Sequence, residues 1–184
     1  MRRNAAAGRH KVRAICLSAL LAVGLVVSGV FATAAHAASY DAEGIDVTLD
    51  GVTYTCDLLS DGTAHLKTPI ADDGVTVINV PTAVENAGKA YTVTELYFGW
   101  STKGANVEQL NLPDTLTRMS GWRINNFTSL KQLEIPGSIK KFELSLQNMD
   151  SLEKLTFDEG VEELASNTMV SVATSSRRLT FQAA

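Results

Sequence analysis

The stretch LKQLEIPGSIKKF, residues 130–142, decides the fold of this chain, because the spacing of its apolar positions is repeated on both sides of it. The same spacing begins at Val107 and again at Leu152, so that equivalent positions lie 23 and then 22 residues apart. The alternative is an ordinary β-sandwich with accidental leucine spacing, and agreement at several positions across two successive copies argues against it. The sequence therefore predicts a repeat array.

Each repeat contains two apolar residues separated by one other residue, and proline follows this pair in two of the three copies. Such a pair forms a short strand with both apolar side chains on one face, and proline favours a turn because it has no N–H to donate to a central ladder. A unit of about 22 residues is too small to bury its own apolar edge, so stacked neighbours must share one core. We expect Leu110, Leu133 and Leu155 to lie in a row inside a solenoid.

The array has an imperfect unit at each end. The first begins at residues 78–81 and is interrupted by the nine residues 82–90, which we interpret as an insertion. The last places Leu179 at a position 24 residues beyond Leu155. Residues 75–184 are therefore predicted to form a β-rich solenoid with short strands and little helix, made of three good repeats and two partial ones.

Residues 38–74 have a different period. Apolar and polar residues alternate, and two Asp-Gly pairs interrupt the alternation. Asp-Gly between alternating segments is a strong hairpin signal, because both residues tolerate a positive φ. We predict a small antiparallel β-hairpin cap ahead of the solenoid, built from residues 45–49, Asp50-Gly51, residues 52–58, Asp61-Gly62 and residues 64–67.

The first 37 residues have the parts of a secretory signal peptide. Five basic residues precede residue 14 without any acidic residue, and residues 14–34 form an uncharged, apolar run that we expect to be a signal helix. The run ends in Ala35-His36-Ala37, and signal peptidase accepts small residues at the −3 and −1 positions, so cleavage is predicted between Ala37 and Ala38. The alternative is an uncut anchor that spans the bilayer. The predicted protein is secreted or exposed at the cell surface, and it meets the membrane only during export.

The charge and the ligand inventory change when this leader is removed. The full sequence has 16 Lys and Arg against 20 Asp and Glu, a formal charge of −4, and loss of the five leader cations changes it to −9. A chain this acidic repels phosphates, so nucleic-acid partners are excluded. Cys56 and His65 are then the only cysteine and histidine, which rules out an intrachain disulfide and any site built from two such ligands. No metal site and no cofactor are predicted.

The repeat at residues 130–142 resembles the first half of BspA-like, Treponema-type leucine-rich repeats, approximately L-x-x-I-x-I-P-x-x-V-x-x-I, which occur in bacterial surface proteins. Residues 51–54, 78–81 and 88–96 are similar to the segment that precedes the repeats in that family. The resemblance covers roughly residues 50–181. It implies a leucine-rich-repeat fold in a secreted or wall-associated module that binds proteins or other surface ligands, often as an adhesin, and it does not imply catalysis.

The candidate binding face consists of the side chains that alternate with the buried leucines. We expect them to form polar columns on the outside of the strand sheet, because solenoids use such extended faces for binding. A second row changes from basic at Lys140 and Lys141 to acidic at Glu162 and Glu163. The alternative is that these positions are polar only for solubility. The strand columns contain Gln109, Asn111, Gln132, Glu134, Lys154 and Thr156.

Two other pairs of residues have both a functional and a structural interpretation. Cys56 and His65 flank one Asp-Gly turn, which makes a thiol–imidazole pair conceivable, but no orienting third group and no nucleophile motif accompany them. We therefore expect Cys56 in the core and His65 on the surface of a strand. Trp100 and Trp122 could stack on a sugar, and we instead expect internal packing, because each follows an aliphatic repeat position at a short distance. No catalytic residue is predicted.

The sequence predicts a secreted or cell-surface leucine-rich-repeat module that binds an extracellular protein or surface ligand, in adhesion or protein–protein interaction and without enzymatic activity. A secreted hydrolase with an unrecognised site is one alternative. A truncated structural fragment of a larger surface protein is another, because the chain stops just after a repeat strand and no polar terminal repeat covers the last interior face. The uncapped end predicts self-association through Leu179 and Phe181.

Overall fold

The computed structural model describes residues 39–164 and the two strand segments 170–171 and 180–183. The predicted signal helix and its cleavage point between Ala37 and Ala38 lie outside these residues. The described part of the chain consists of strands, turns and bends without an α-helix, so none of it belongs to a helix that could cross a membrane. The expectation of a β-rich fold is confirmed for this part.

Sixteen strands make up the described residues, and twelve of them have only two to four residues. Short strands at regular intervals are typical of a chain that coils around one core. In chain order, the strands are β1 (Tyr40–Leu49), β2 (Val52–Leu59), β3 (Thr63–Ala71), β4 (Val77–Asn79), β5 (Ala83–Asn86), β6 (Lys89–Phe98), β7 (Gln109–Asn111), β8 (Arg118–Gly121), β9 (Arg123–Ile124), β10 (Gln132–Ile135), β11 (Lys141–Phe142), β12 (Ser145–Gln147), β13 (Lys154–Phe157), β14 (Glu163–Leu164), β15 (Val170–Ser171) and β16 (Thr180–Ala183).

The strands β1, β2 and β3 form an antiparallel meander. The turn between β1 and β2 has Asp50 at φ 48° and Gly51 at φ 78°, and positive φ at both central residues matches the twist of the flanking strands. In the second turn, Asp61 Oδ1 accepts hydrogen bonds from the backbone N (2.9 Å) and the Oγ1 (2.7 Å) of Thr63. The hairpin cap predicted from the two Asp-Gly pairs is confirmed.

The five strands β16, β13, β10, β7 and β4 lie side by side in this order and form a parallel sheet. Leu133 is in register with Leu110 on one side and with Leu155 on the other. All three side chains are at most 4 % exposed. The predicted row of leucines inside the solenoid is therefore confirmed.

The last strand of this sheet pairs in a register that differs from the predicted one. Leu155 lies opposite Phe181, whereas the repeat spacing predicts Leu179, which is outside the described residues. A shift of two residues keeps the inward and outward alternation of a strand, because residues i and i+2 point to the same face. The prediction was wrong at this strand because hydrophobic alternation does not distinguish two registers that differ by an even number of residues.

Each strand of the parallel sheet is followed by a turn at the same place in the repeat. The backbone N–H groups of Leu116 and Ile139 donate to the carbonyls of Pro113 and Pro136, with N···O distances of 3.1 and 3.0 Å. The chain continues into β8, β11 and β14 and then into β9, β12 and β15. Strands of successive coils pair in parallel on these sides as well, so each coil has three short sides around a common interior.

The strand β6 joins the cap to the solenoid. It pairs in parallel with β3 and, further along, with β8. The interpreted insertion, residues 82–90, contains β5 and the hairpin turn into β6, where Ala87 and Gly88 have φ of 50° and 80°. One cluster of buried side chains extends from Val47 in β1 to Leu155 in β13. Cap and solenoid therefore share one hydrophobic core.

A buried hydroxyl without a partner makes the first prediction on stability. Tyr54 on β2 is 1 % exposed, and its Oη has no hydrogen-bond partner among the described residues. Burial, with a smaller contribution from the Asp50 carboxylate, raises the pKa of this phenol far above its usual value. Because an unpartnered buried hydroxyl loses its hydration without compensation, Tyr54→Phe is expected to increase the free energy of unfolding by up to about 1 kcal/mol in urea denaturation. A decrease of that size would show that the hydroxyl is paired.

Asp41 at the start of β1 ties this edge strand to β6. Its Oδ2 accepts hydrogen bonds from Lys89 Nζ (2.6 Å) and from Tyr91 Oη (2.8 Å). The hydrogen bond from Lys89, followed by that from Tyr91, lowers the pKa of Asp41 below its ordinary value. A carboxyl group with a lowered pKa in the folded state stabilises the fold above its unfolded-state pKa, and this contribution is lost as the pH falls through the folded-state pKa.

We therefore expect Asp41→Asn to accelerate hydrogen exchange of the β1 amides at neutral pH and to have no effect once wild-type Asp41 is protonated, at about pH 2. Glu43→Gln is the matched control, since Glu43 is an exposed carboxylate on the same strand, and it should change exchange at neither pH. A difference between wild type and Asp41→Asn that persists at the acidic end would contradict this assignment.

Candidate functional site

The outward side chains of β4, β7, β10 and β13 form a continuous polar surface. They are exposed because they alternate with the buried leucines along each strand. Five of the six residues predicted for the strand columns are exposed at this surface, together with one residue that was not predicted. We call this surface the strand face, and it consists of Asn79, Gln109, Asn111, Gln132, Glu134 and Lys154.

The sixth predicted residue, Thr156, is only 9 % exposed, which corrects its assignment to the exposed columns. Its strand β13 has paired neighbours on both sides, with Thr156 in register with Glu134 and with Gln182. A short side chain between two paired strands has little surface left for water, whereas the longer Lys154 on the same strand reaches past them and is exposed. Thr156 is therefore a poor candidate for direct contact with a partner.

Amide side chains connect neighbouring strands across the strand face. Gln109 Nε2 donates to Asn111 Oδ1 at 2.9 Å, and Asn111 Nδ2 donates to Asn79 Oδ1 at 2.7 Å. Asn79 was missed in the sequence, although it follows Ile78 as Asn111 follows Leu110, and this equivalence within the first partial repeat is the signal that identifies it. The hydrogen bonds hold the amides in place before any partner arrives.

Two open cavities lie on the strand face. The larger has a volume of about 330 Å³ and is lined by side chains of β7 and β10, with the ion pair of Lys131 and Glu108 at its margin. The smaller, about 160 Å³, has three carboxylates in its lining, those of Asp114, Glu134 and Asp158. The strand face thus offers fixed amides at one end and concentrated negative charge at the other.

Lys140 and Lys141, the remaining predicted residues, do not lie on the strand face. They are on the next side of the coil, at and beside β11, and both are exposed. Lys140 Nζ is 3.5 Å from Glu162 Oε1, and Lys141 Nζ is 3.4 Å from Glu163 Oε1 in the following coil. Hydrogen bonds to Glu143 and then to Glu163 raise the pKa of Lys141. The predicted change from basic to acidic is therefore a set of ion pairs between coils, and these lysines are already engaged within the chain.

The conceivable thiol–imidazole pair is not assembled. Cys56 is fully buried, and its burial, with a smaller contribution from Asp57, raises the pKa of the thiol to about 12. Cys56 is in register with Leu66 and Asp57 with His65, so that thiol and imidazole lie on opposite faces of the meander. The imidazole Nδ1 is 3.7 Å from Glu95 Oε2 instead. Within the described residues, no group of three or more His, Cys, Asp or Glu side chains is arranged to hold a metal ion.

The expected internal packing of the two tryptophans is wrong. Trp100 and Trp122 are 66 % and 69 % exposed, and their rings meet edge to face with centroids 5.0 Å apart and an angle of 72°. They follow the ends of β6 and β8, where the alternation of the strands no longer applies. Phe98, which is 1 % exposed, fills the interior at that level and packs on the Phe127 ring. The tryptophans are therefore surface residues.

A leucine-rich repeat protein from Bacteroides capillosus ATCC 29799, known from a crystal structure at 2.00 Å resolution, is similar in structure to this chain. The two are 19 % identical and superpose with a TM-score of 0.56 over 74 % of this chain and 98 % of that one. This likeness shows that the chain has a β-rich leucine-rich-repeat fold. No protein-family model and no curated protein sequence matches the chain. The BspA-like, Treponema-type subtype stays a prediction.

Proposed function

We propose that this chain is a secreted or cell-surface binding module that contacts an extracellular protein through the strand face. The observation that carries the proposal is the regular row of exposed amide and carboxylate side chains on a parallel sheet that is open to solvent. Five strands spaced about 4.8 Å apart make a surface about 20 Å wide, which accommodates an extended segment of a partner. The leucine-rich-repeat fold supports this proposal, because solenoids use extended faces of this kind for binding.

The chemistry of the strand face favours a partner with hydrogen-bond donors and a positive charge. Asn79 and Asn111 supply ordered amides, while the carboxylates of Asp114, Glu134 and Asp158 surround the smaller cavity and attract cations. A basic side chain of the partner placed in that cavity would fix its orientation along the sheet. The biological role that follows is adhesion or another protein–protein interaction outside the cell, without a catalytic step.

A photo-crosslinking amino acid in place of Gln132 tests this proposal. In the full-length protein, we expect it to capture a defined extracellular protein, and we expect Glu134→Lys in the same chain to reduce the yield at least about tenfold, since the reversed charge repels a basic group. Glu43→Lys, the same change at an exposed position of β1, should leave the yield unchanged. A yield that is insensitive to Glu134→Lys would refute the strand face as the contact surface.

We also carry forward the predicted self-association through the C-terminal end. Among the described strands, β16 pairs only with β13, and an edge strand offers backbone groups to a second chain. Sedimentation equilibrium at increasing protein concentration tests this proposal, and a constant monomer mass would refute it.

A further inference from the structure

The surface cluster of Trp100, Trp122 and Arg123, which we call the tryptophan platform, lies away from the strand face, beyond the ends of β6 and β8. We propose that this platform is a second binding site, and that its ligand is a neutral sugar ring of an extracellular oligosaccharide. The proposal rests on the platform alone and does not depend on the strand face or on its protein partner.

The exposure of the two indoles is the first argument. Among the described residues, they are the most exposed of the large hydrophobic side chains, at 66 % and 69 %, while the others in this group are 38–51 % exposed. Leaving this much apolar surface in water forgoes hydrophobic free energy, so a paired aromatic patch on a surface indicates a binding role. The interior does not need these rings, since Phe98 and Phe127 fill it beside them.

The rigidity of the platform is the second argument. The Arg123 guanidinium carbon lies 4.7 Å from the Trp100 ring centre and 5.7 Å from that of Trp122, so that one cation contacts both rings. Arg123 is held in turn by Gln147, because its Nη1 donates to Gln147 Oε1 at 2.6 Å. A surface with its side chains already in place loses little conformational entropy when a ligand binds.

The shape of the platform distinguishes between ligands. The space between the rings and the neighbouring chain is only about 10 Å³, which is too small for an inserted side chain, so a ligand must lie flat on the indoles. The exposed rings provide a few hundred Å² at most, whereas a stable protein interface needs roughly 800 Å² from each partner. A sugar ring has the size and flatness that this surface accepts.

The chemistry of the platform is also that of a sugar site. The C–H groups on one face of a pyranose carry slight positive charge and suit the negative face of an indole. Arg123 has five N–H donors, and those not directed at Gln147 are available in kind to hydroxyl oxygens at the ring margin. The formal charge of the chain, −4, disfavours acidic polysaccharides, which leaves neutral sugars as the better ligands.

Intrinsic fluorescence tests the proposal directly, because the chain has two tryptophans and both belong to the platform. Titration of the full-length protein with cellohexaose and with the hexamer of N-acetylglucosamine should give a saturable blue shift for at least one of them, with a Kd of about 0.1–1 mM. In calorimetric titration, Trp122→Ala should weaken this binding at least about tenfold. Tyr40→Ala, a control at another exposed aromatic residue, and Glu134→Lys on the strand face should both leave it unchanged.

Three results would overturn the proposal. The first is the absence of any spectral shift and any heat with both neutral hexamers up to about 10 mM. The second is binding that persists in the double variant Trp100→Ala/Trp122→Ala. The third is a blue shift that grows with protein concentration in the absence of sugar, which would assign the platform to contact with a second copy of the chain. Loss of the protein partner in Glu134→Lys with intact sugar binding would separate the two surfaces.

Discussion

Replacement of Leu133 by alanine is expected to lower the free energy of unfolding by about 3–5 kcal/mol. Leu133 is 1 % exposed and lies in β10, with Leu110 in register on one side and Leu155 on the other. The smaller side chain would leave a cavity between two coils whose backbones are fixed by the ladder, so the structure cannot easily close around it. Because successive coils stabilise each other through this row, the loss should be transmitted to both neighbouring repeats.

The matched control for this substitution is Glu134→Ala, at the next position of the same strand. Glu134 points outward and is exposed, so its truncation should change stability by no more than about 0.5 kcal/mol. Urea denaturation followed by circular dichroism measures both variants. Equal stabilities for Leu133→Ala and Glu134→Ala would mean that the inward and outward assignment of β10 is wrong.

The second large effect is expected for Gly137→Ala, which should cost about 3 kcal/mol or more. Gly137 follows Pro136 in the turn of one coil and lies against the equivalent turn of the next coil. A Cβ atom built at Gly137 would overlap the carbonyl oxygen of Glu159 and lie 2.8 Å from its carbonyl carbon. Both of these atoms belong to the backbone, so the overlap is relieved only if the two coils move apart. Glycine is required here by the close approach of two chains.

Gly74→Ala is the control for this prediction. A Cβ atom at Gly74 meets nothing within 4 Å, so the same change should be neutral or should stabilise by up to about 1 kcal/mol through the unfolded chain. Thermal unfolding of both variants tests the difference. If Gly137→Ala melts at the wild-type temperature, the turns of successive coils are not in contact as the structure places them.

Much of the fold could be predicted because burial imposes periods that a single sequence displays. The spacing of 23 and 22 residues correctly placed Leu110, Leu133 and Leu155 in one row, and the two Asp-Gly pairs correctly placed the turns of the cap. The register of β16 was not predictable in the same way, since a shift of two residues preserves every inward-facing position. Periodicity identifies a face of a strand, and only hydrogen bonding to the neighbour selects the register.

The candidate sites could be predicted only where they follow the same periods. The exposed positions of β7 and β10 alternate with leucines, and these residues were assigned correctly to the strand face. Thr156 obeys the same alternation and is nevertheless buried, because exposure also depends on side-chain length and on the strands on either side. Lys140 and Lys141 were correctly placed on the surface, but their partners in the next coil depend on how the coils stack.

By itself, the sequence determined the repeat length, the interior leucines, the turns and the polar character of the strand face, because each of these follows from local spacing and residue type. Only the tertiary structure decided that Trp100 and Trp122, separated by more than twenty residues, meet on the surface under Arg123. The physical reason is that their meeting requires two neighbouring coils to be stacked in one particular register. A contact between coils is a property of that stacking and leaves no period in the chain.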